Sequence, residues 1–145
     1  MKLSRTVSYA VRATLELARS DPLTPVPCSK LAAAGDMPER FLLQILRVLV
    51  THGILRSTRG VEGGYSLLRS PDEISLLEVI EAIDGPMARE ASPGGADGEG
   101  DSSSALQSAL LHVTQTARQQ LQAIKLSQLL EPPTSLAPES PAVSP

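Results

Sequence analysis

Periodic apolar segments, separated only by short turns, fill the first 86 residues of this chain of 145. Over residues 4–19 the apolar side chains recur at three- and four-residue steps, which predicts a helix with one apolar face. Three prolines within residues 21–27 indicate a turn. Ser29 is then expected to cap a short second helix, and Gly35 to end it. The chain is therefore expected to begin with two helices joined by a short turn.

A third helix is predicted from the position of Pro38, because proline suits the first turn of a helix, where its missing N–H would have no partner. The helix is expected to run to about His52 and to stop at Gly53. Its apolar residues follow the helical period. They predict a buried face made of Leu42, Ile45, Leu46 and Leu49, with Phe41 and Val48 on its flanks.

Two short β-prone runs follow, at residues 54–58 and 65–68. Residues 59–64 between them contain three glycines, which predicts a hairpin with a glycine-rich tip. Residues 75–78 (Ser-Leu-Leu-Glu) form a capping box that opens a fourth helix, and this helix is expected to end at Gly85. The order helix, helix, helix, hairpin, helix is that of a winged helix-turn-helix domain, which is mainly α with a small β-hairpin.

The outward side of the third helix carries residue types that suit the reading of DNA bases. Spacings of three, one and three residues place four of them on one stripe opposite the apolar face. Arginine pairs bidentately with guanine and glutamine with adenine, while leucine can pack on the methyl group of thymine. The predicted major-groove contacts are Arg40, Leu43, Gln44 and Arg47. The alternative is an ordinary solvated helix face.

Two further groups of residues are predicted to contact DNA. Arg59 and Gly60 lie at the expected hairpin tip, from which an arginine can reach a narrow minor groove. The alternative for this tip is a plain turn with an incidental arginine. Lys2, Ser4 and Arg5, at the start of the first helix, are expected to contact phosphates, which position a protein without specifying a base sequence.

The charge of the chain is unevenly distributed. Residues 1–70 carry a net charge of +5 and residues 71–145 one of −8, although the total is only −3. Such an asymmetry suggests that the first half meets a polyanion. No stretch approaches the roughly 20 apolar residues of a membrane-spanning helix. The N-terminus also lacks the apolar run of a signal peptide, so a cytoplasmic location without membrane contact is expected.

The second half of the chain divides into three parts. Residues 87–104 have no large apolar residue after Met87 and are expected to form a flexible loop. Residues 105–130 are periodic again, and a helix over about 105–124 has the narrow apolar seam of a coiled coil. This seam, expected to join two copies of the chain, consists of Leu106, Leu110, Val113, Ala117, Leu121 and Ile124. Packing of the helix on its own winged domain is the alternative. The last fifteen residues contain five prolines and are expected to be disordered.

Several short motifs stand in a characteristic order along the chain. They are Met1-Lys2-Leu3-Ser4, Tyr9 to Ala13, Phe41-Leu42 with Gln44-Ile45-Leu46, His52 to Leu55, Arg59 to Tyr65 and Val79 to Pro86, with a weak continuation at Ile124 to Leu130. Together they resemble the winged-helix repressor family of IscR, NsrR and CymR. The resemblance implies a homodimeric bacterial transcription regulator that binds a palindromic operator in double-stranded DNA. It maps the groove-reading positions of the family onto Arg40, Leu43 and Gln44, and the wing arginine onto Arg59.

One departure from this family concerns its iron–sulfur members, which hold their cluster with three cysteines in the loop before the long helix. Residues 87–104 contain no cysteine, and Gln107 stands where one member has a histidine. An iron–sulfur cluster needs cysteine thiolates or, in part, histidines, so neither a cluster nor another cofactor or metal is expected. Cys28, the one cysteine, is expected to be a small buried residue, with a redox-sensing thiol at a helix N-terminus as the alternative.

No arrangement of residues points to catalysis. The chain shows no pairing of a nucleophile with a base, and the glycines of residues 60–64 are not followed by the Lys-Ser/Thr of a phosphate-binding loop. The predicted function is therefore that of a sequence-specific DNA-binding regulator, with an effector or partner protein left open. The alternative is a winged-helix module that binds other proteins and no longer binds DNA.

Overall fold

The computed structural model describes residues 2–87 and 101–130, the second range with side chains from residue 104 onward. The described chain is mainly helical with one two-stranded hairpin, as predicted. Its elements are α1 (Arg5–Arg19), α2 (Cys28–Gly35), α3 (Glu39–Thr51), β1 (Leu55–Thr58), β2 (Gly64–Leu67), α4 (Leu76–Asp84), α5 (Asp101–Ala123) and α6 (Leu126–Leu129). The expected proline-rich tail and most of the expected loop, residues 88–100, lie outside the described residues.

The core is built around α3, and the buried face of this helix is the one predicted. Leu42, Leu46 and Leu49 are fully buried, and Ile45 is nearly so. They pack among the buried sides of α1, α2 and α4. Because each such side chain contributes about 1.5–3 kcal/mol when it leaves water, this face fixes α3 on the domain. The opposite face of α3 is left to solvent.

Helix α2 differs from the prediction at both of its ends. α2 begins at Cys28, and Pro27 rather than Ser29 holds the N-cap position. Proline already has the extended backbone of a cap residue, so the helix starts before Ser29 can act. The helix also continues through Gly35, and Asp36 is the residue that leaves it, with a left-handed backbone at φ 55°. Aspartate tolerates this conformation better than most residues.

Strands β1 and β2 pair antiparallel and form the predicted hairpin within one residue of its expected bounds. The backbone of Tyr65 in β2 also pairs with Val26 through two hydrogen bonds, with N–O distances of 2.9 and 2.8 Å. Gly64 permits this approach, because a Cβ there would lie 2.4 Å from the carbonyl carbon of Val26. The base of the hairpin is thereby joined to the segment just ahead of α2.

The two long elements after the hairpin begin in different ways. At the start of α4 the predicted capping box is present, since the side chains of Ser75 and Glu78 each accept a hydrogen bond from the other's backbone N–H. α5 begins at Asp101, so residues 101–104, assigned by composition to the loop, are helical. The composition of residues 101–104 could not distinguish a loop from a helix start, because aspartate and serine are also favoured in the first turn of a helix.

No helix of the described ranges, α5 included, has the length and apolarity that crossing a membrane requires.

α5 runs antiparallel to α4 and contacts it through its second half. The Leu76 N–H donates to the Ile124 carbonyl at 2.8 Å. Arg118 donates to the Glu81 carboxylate through Nε at 2.9 Å and Nη2 at 3.2 Å. Burial opposes ionisation of Glu81, but the hydrogen bonds from Arg118 and from the Met87 N–H lower the pKa of this carboxyl group. The charged contact ties α5 to α4 near the end of α4, and the first half of α5 extends beyond it.

Candidate nucleic-acid interface

The four predicted base-reading residues share the solvent side of α3. Arg40, Gln44 and Arg47 are exposed, and Leu43 is half-buried at the edge of the stripe. They lie opposite the buried leucines, as the helical period requires. Among the side chains that the structure describes, Arg40 and Arg47 form no ion pair. Both guanidinium groups are therefore available to an anion in solution.

Arg59 and Gly60 lie at the tip of the hairpin. A turn closed by a hydrogen bond from the Gly63 N–H to the Gly60 carbonyl, 3.0 Å long, forms this tip. Gly60 has a φ of 115°, a conformation that costs glycine little and other residues much. The Arg59 side chain is exposed. A guanidinium group thus stands at the end of a thin two-stranded projection.

Two exposed residues of the hairpin were missed in the sequence. Val61 is fully exposed within the turn at the tip, and Arg56 is exposed on β1. Strand alternation was a usable signal for Arg56, because Leu55 beside it is buried and neighbouring side chains of a strand point to opposite faces. For Val61 the signal was an apolar residue in a stretch that is otherwise glycine and charged residues.

The N-terminal residues lie beside α3. Lys2 and Arg5 are exposed. The Ser4 Oγ accepts a hydrogen bond from the backbone N–H three residues on, at 3.1 Å, so this serine caps α1 in addition to any contact with phosphate. Thr6 lines a shallow cavity of about 190 Å³ together with Gln44. The start of α1 is thereby brought next to the predicted base-reading stripe.

The predicted dimer seam is divided into two parts. Three of its residues, in the first half of α5, are largely exposed: Leu106 (60%), Leu110 (51%) and Val113 (61%). The other three are half-buried where this segment meets α4: Ala117 and Leu121 lie in the second half of α5, and Ile124 directly follows its last residue. Packing on the chain's own domain therefore accounts for part of the burial of the second group and leaves the first group in solvent.

The side chains that could bind a metal are dispersed. Cys28 donates its thiol to the Glu39 carbonyl, with an Sγ–O distance of 3.7 Å. Burial, reinforced by the charge of Glu39, raises the pKa of this thiol, whereas a reactive or metal-binding thiol needs a low one. The His52 ring contacts the Val48 carbonyl through Nδ1 at 3.0 Å, and His112 is exposed on α5. Over residues 2–87 and 104–130, no three histidine, cysteine or carboxylate side chains are grouped as metal ligands.

These donors do not fit an iron–sulfur cluster, which needs several thiolates at one place. The chain has a single cysteine, and that cysteine lies at the start of α2, within the winged domain. Neither histidine is close to it in sequence, and His52 already caps a helix.

A helix-turn-helix with an exposed basic stripe and a hairpin wing defines a class of DNA-binding regulators, and comparison with known proteins gives the family. The family model of Rrf2, described as "Iron-dependent Transcriptional regulator", matches residues 3–132. The chain belongs to the Rrf2 family. The resemblance to the family of IscR and CymR is thereby confirmed.

Individual relatives agree with this assignment. An HTH-type transcriptional regulator of Mycobacterium tuberculosis (strain H37Rv) is 47% identical over 88 residues, which are 61% of this chain and 55% of that protein. The chain thus spans about half the length of that curated relative. The solved structure of CymR of B. subtilis is similar with a TM-score of 0.73 and 24% identity, over 90% of this chain and 96% of that one. The structure of T. potens IscR is similar with a TM-score of 0.71 and 26% identity, over 90% and 86%.

Proposed function

We propose that this chain is a transcription repressor that binds a palindromic DNA operator as a homodimer, with one recognition helix and one wing in each half-site. The observation that carries the proposal is the exposed stripe of α3. α3 is the second helix of the helix-turn-helix, and it is held by its leucine face while Arg40 and Gln44 face solvent. In this geometry the side chains of the free face can reach base edges in the major groove.

The hairpin supports the same proposal. Its tip presents Arg59 on a narrow projection, and an arginine is attracted to the concentrated negative potential of a narrow minor groove. The two backbone hydrogen bonds between Tyr65 and Val26 hold the hairpin against the start of the helix-turn-helix. The recognition helix and the wing are therefore parts of one body and can contact adjacent grooves together.

The geometry of α5 supports the homodimer. Because Arg118 contacts Glu81 and the two helices are antiparallel, residues 101–113 extend past the end of α4. At 1.5 Å per residue this projecting part is about 20 Å long. It carries Leu106, Leu110 and Val113 in solvent, and a second copy of the same helix would remove these side chains from water. Two winged domains held in this way would match the two-fold symmetry of a palindromic site.

The proposed repressor works without an iron–sulfur cluster. We expect protein purified without air to be colourless, with no iron or acid-labile sulfide, because the chain has one thiol where a cluster needs several. Iron and sulfide assays together with the visible absorption spectrum check this. Stoichiometric iron and sulfide, with charge-transfer absorption, would contradict it.

Gel retardation of DNA from the region upstream of the gene, across a series of salt concentrations, tests DNA binding. Each phosphate contact releases counterions, so the proposal predicts an affinity that falls steeply with salt and a preference for one site within the fragment. If the protein retards no DNA at low salt, the chain is instead a winged-helix module that contacts other proteins.

A further inference from the structure

The motif Tyr9 to Ala13 contains a charged residue, Arg12, that the proposed function does not use. Its guanidinium group donates from Nη1 to the carbonyl of Gly35, 23 residues away, at 3.2 Å. Gly35 is the last residue of α2, and the last carbonyl groups of a helix have no partner within it. A cation at this place also complements the negative end of the helix dipole. Arg12 therefore binds the C-terminus of α2 from another helix.

The contact from Arg12 to Gly35 lies next to Asp36, whose backbone conformation is unusual. Asp36 has a φ of 55°, and it is the one residue other than glycine with a positive φ among residues that the structure describes. A residue in this conformation persists only where its surroundings hold it. Backbone hydrogen bonds from the Asp36 and Met37 N–H groups already close this turn, and the contact from Arg12 to Gly35 adds to them from another helix. Because the turn joins α2 to α3, a contact that steadies it also helps to orient α3.

A second contact joins the same arginine to the recognition helix. The Arg12 Cζ lies 5.7 Å from the centroid of the Tyr9 ring, within the range of a cation–π interaction. Tyr9 in turn meets Phe41 edge to face, with centroids 5.7 Å apart and planes at 75°. Phe41 is in the first turn of α3, directly after Arg40. Arg12 is thus linked to the end of α2 and, through Tyr9, to the start of α3.

We propose that Arg12 is a positioning residue for the recognition helix. By holding the α2 C-terminus and the Tyr9–Phe41 pair, it fixes the turn at Asp36 so that Arg40 and Gln44 meet base edges in register. Arg12 itself touches no base. This inference rests on the proposed function, and it gives Arg12 a different role from Lys2 and Arg5, which the sequence predicts to contact phosphates.

Arg12→Ala and Arg19→Ala form a matched pair for the test. Both remove one exposed arginine from α1, but among the described residues the ion pair of Arg19 is with Glu16, on its own helix, at 3.5 Å. For wild type and both variants, affinities for a selected operator and for random DNA are measured over a range of salt concentrations. Thermal midpoints are measured on the same samples.

We expect Arg12→Ala to lower the preference for operator over random DNA by about tenfold, the size of one lost base contact. Affinity for random DNA and the salt dependence of binding should be unchanged, because no phosphate contact is removed. Arg19→Ala should behave as wild type. If Arg12→Ala instead weakens binding to both DNAs and reduces the salt slope by about one, Arg12 is a phosphate contact and the inference is wrong. If it lowers the thermal midpoint but keeps the preference, Arg12 only stabilises the fold and the inference is equally wrong.

A rescue variant sharpens the test. Glycine adopts a positive φ readily, so Asp36→Gly should hold the turn without help from Arg12. Adding Asp36→Gly to Arg12→Ala is therefore expected to restore part of the lost preference for operator. A double variant no better than Arg12→Ala would count against the role of the turn. If wild type itself shows no preference for any selected site, the proposed function fails and the inference fails with it. If wild type has a preference that Arg12→Ala keeps, the inference alone fails.

Discussion

Leu110→Asp is expected to convert the protein from a dimer into a monomer in solution. Leu110 lies on the projecting half of α5, where it is 51% exposed in the single chain. In the proposed dimer it is buried in the seam, and a carboxylate buried there without a partner is strongly unfavourable. Each dimer would contain two such charges. Val113→Asp, one turn further along the same stripe, is expected to have the same effect, and sedimentation measures both.

Gln115→Asp is the matched control for these variants. Gln115 is exposed on α5 and lies on the side of the helix away from Leu110 and Val113, so an added charge there remains in water. It should leave the dimer intact. If the two seam variants sediment as dimers at the concentrations where wild type does, the projecting half of α5 is not the interface.

Gln44→Ala is expected to weaken operator binding by about 1–3 kcal/mol and to relax base preference at one or two positions of each half-site. The reason is that Gln44 lies in the middle of the exposed stripe of α3, where a side-chain amide can recognise adenine. Binding-site selection with wild type and variant measures both effects. Gln122→Ala, an exposed glutamine on α5, is the matched control and should bind as wild type does. If Gln44→Ala keeps the base preference of wild type, the exposed stripe of α3 does not contact the bases.

Arg59→Ala in the same selection should also lower operator affinity, but at different positions. The minor groove distinguishes mainly A·T from G·C pairs, and it attracts arginine by its width. The lost discrimination should therefore fall on flanking A·T-rich positions. Both Gln44→Ala and Arg59→Ala should remain folded dimers, because neither side chain belongs to the core. If Arg59→Ala changed the same positions as Gln44→Ala, the division between helix and wing would be wrong.

The sequence predicted the parts of the fold that depend on local chemistry and on periodicity. The buried face of α3 could be identified because apolar side chains at helical spacing must share one side. The capping box at Ser75 and Glu78 could be identified because its two hydrogen bonds join residues three apart. The hairpin bounds were predicted to within one residue by the glycines between the two β-prone runs.

Other features could not be predicted, because they depend on contacts between distant residues or on close competition between local ones. Pro27 and Ser29 are both suitable helix-start residues, and nothing in the local sequence decided between them. Which residues of the seam are half-buried and which are exposed depends on where α4 ends beside α5. That position is set by tertiary packing and not by the local sequence. The bond from Arg12 to Gly35 spans 23 residues and follows from the packing of α1 on α2. The helical period puts Arg12 opposite the buried residues of α1, but it cannot identify a partner on another helix.

Sequencing of the DNA recovered with the protein from cells tests whether this chain recognises a symmetric operator through α3 and the wing. We expect the recovered fragments to share a two-fold-symmetric motif whose half-sites lie about 10 base pairs apart, one turn of the double helix. A variant carrying both Gln44→Ala and Arg59→Ala, expressed at the same level, should lose this enrichment. If wild type recovers no more of any shared motif than the double variant does, α3 and the wing do not recognise an operator and the chain acts through contacts with other proteins.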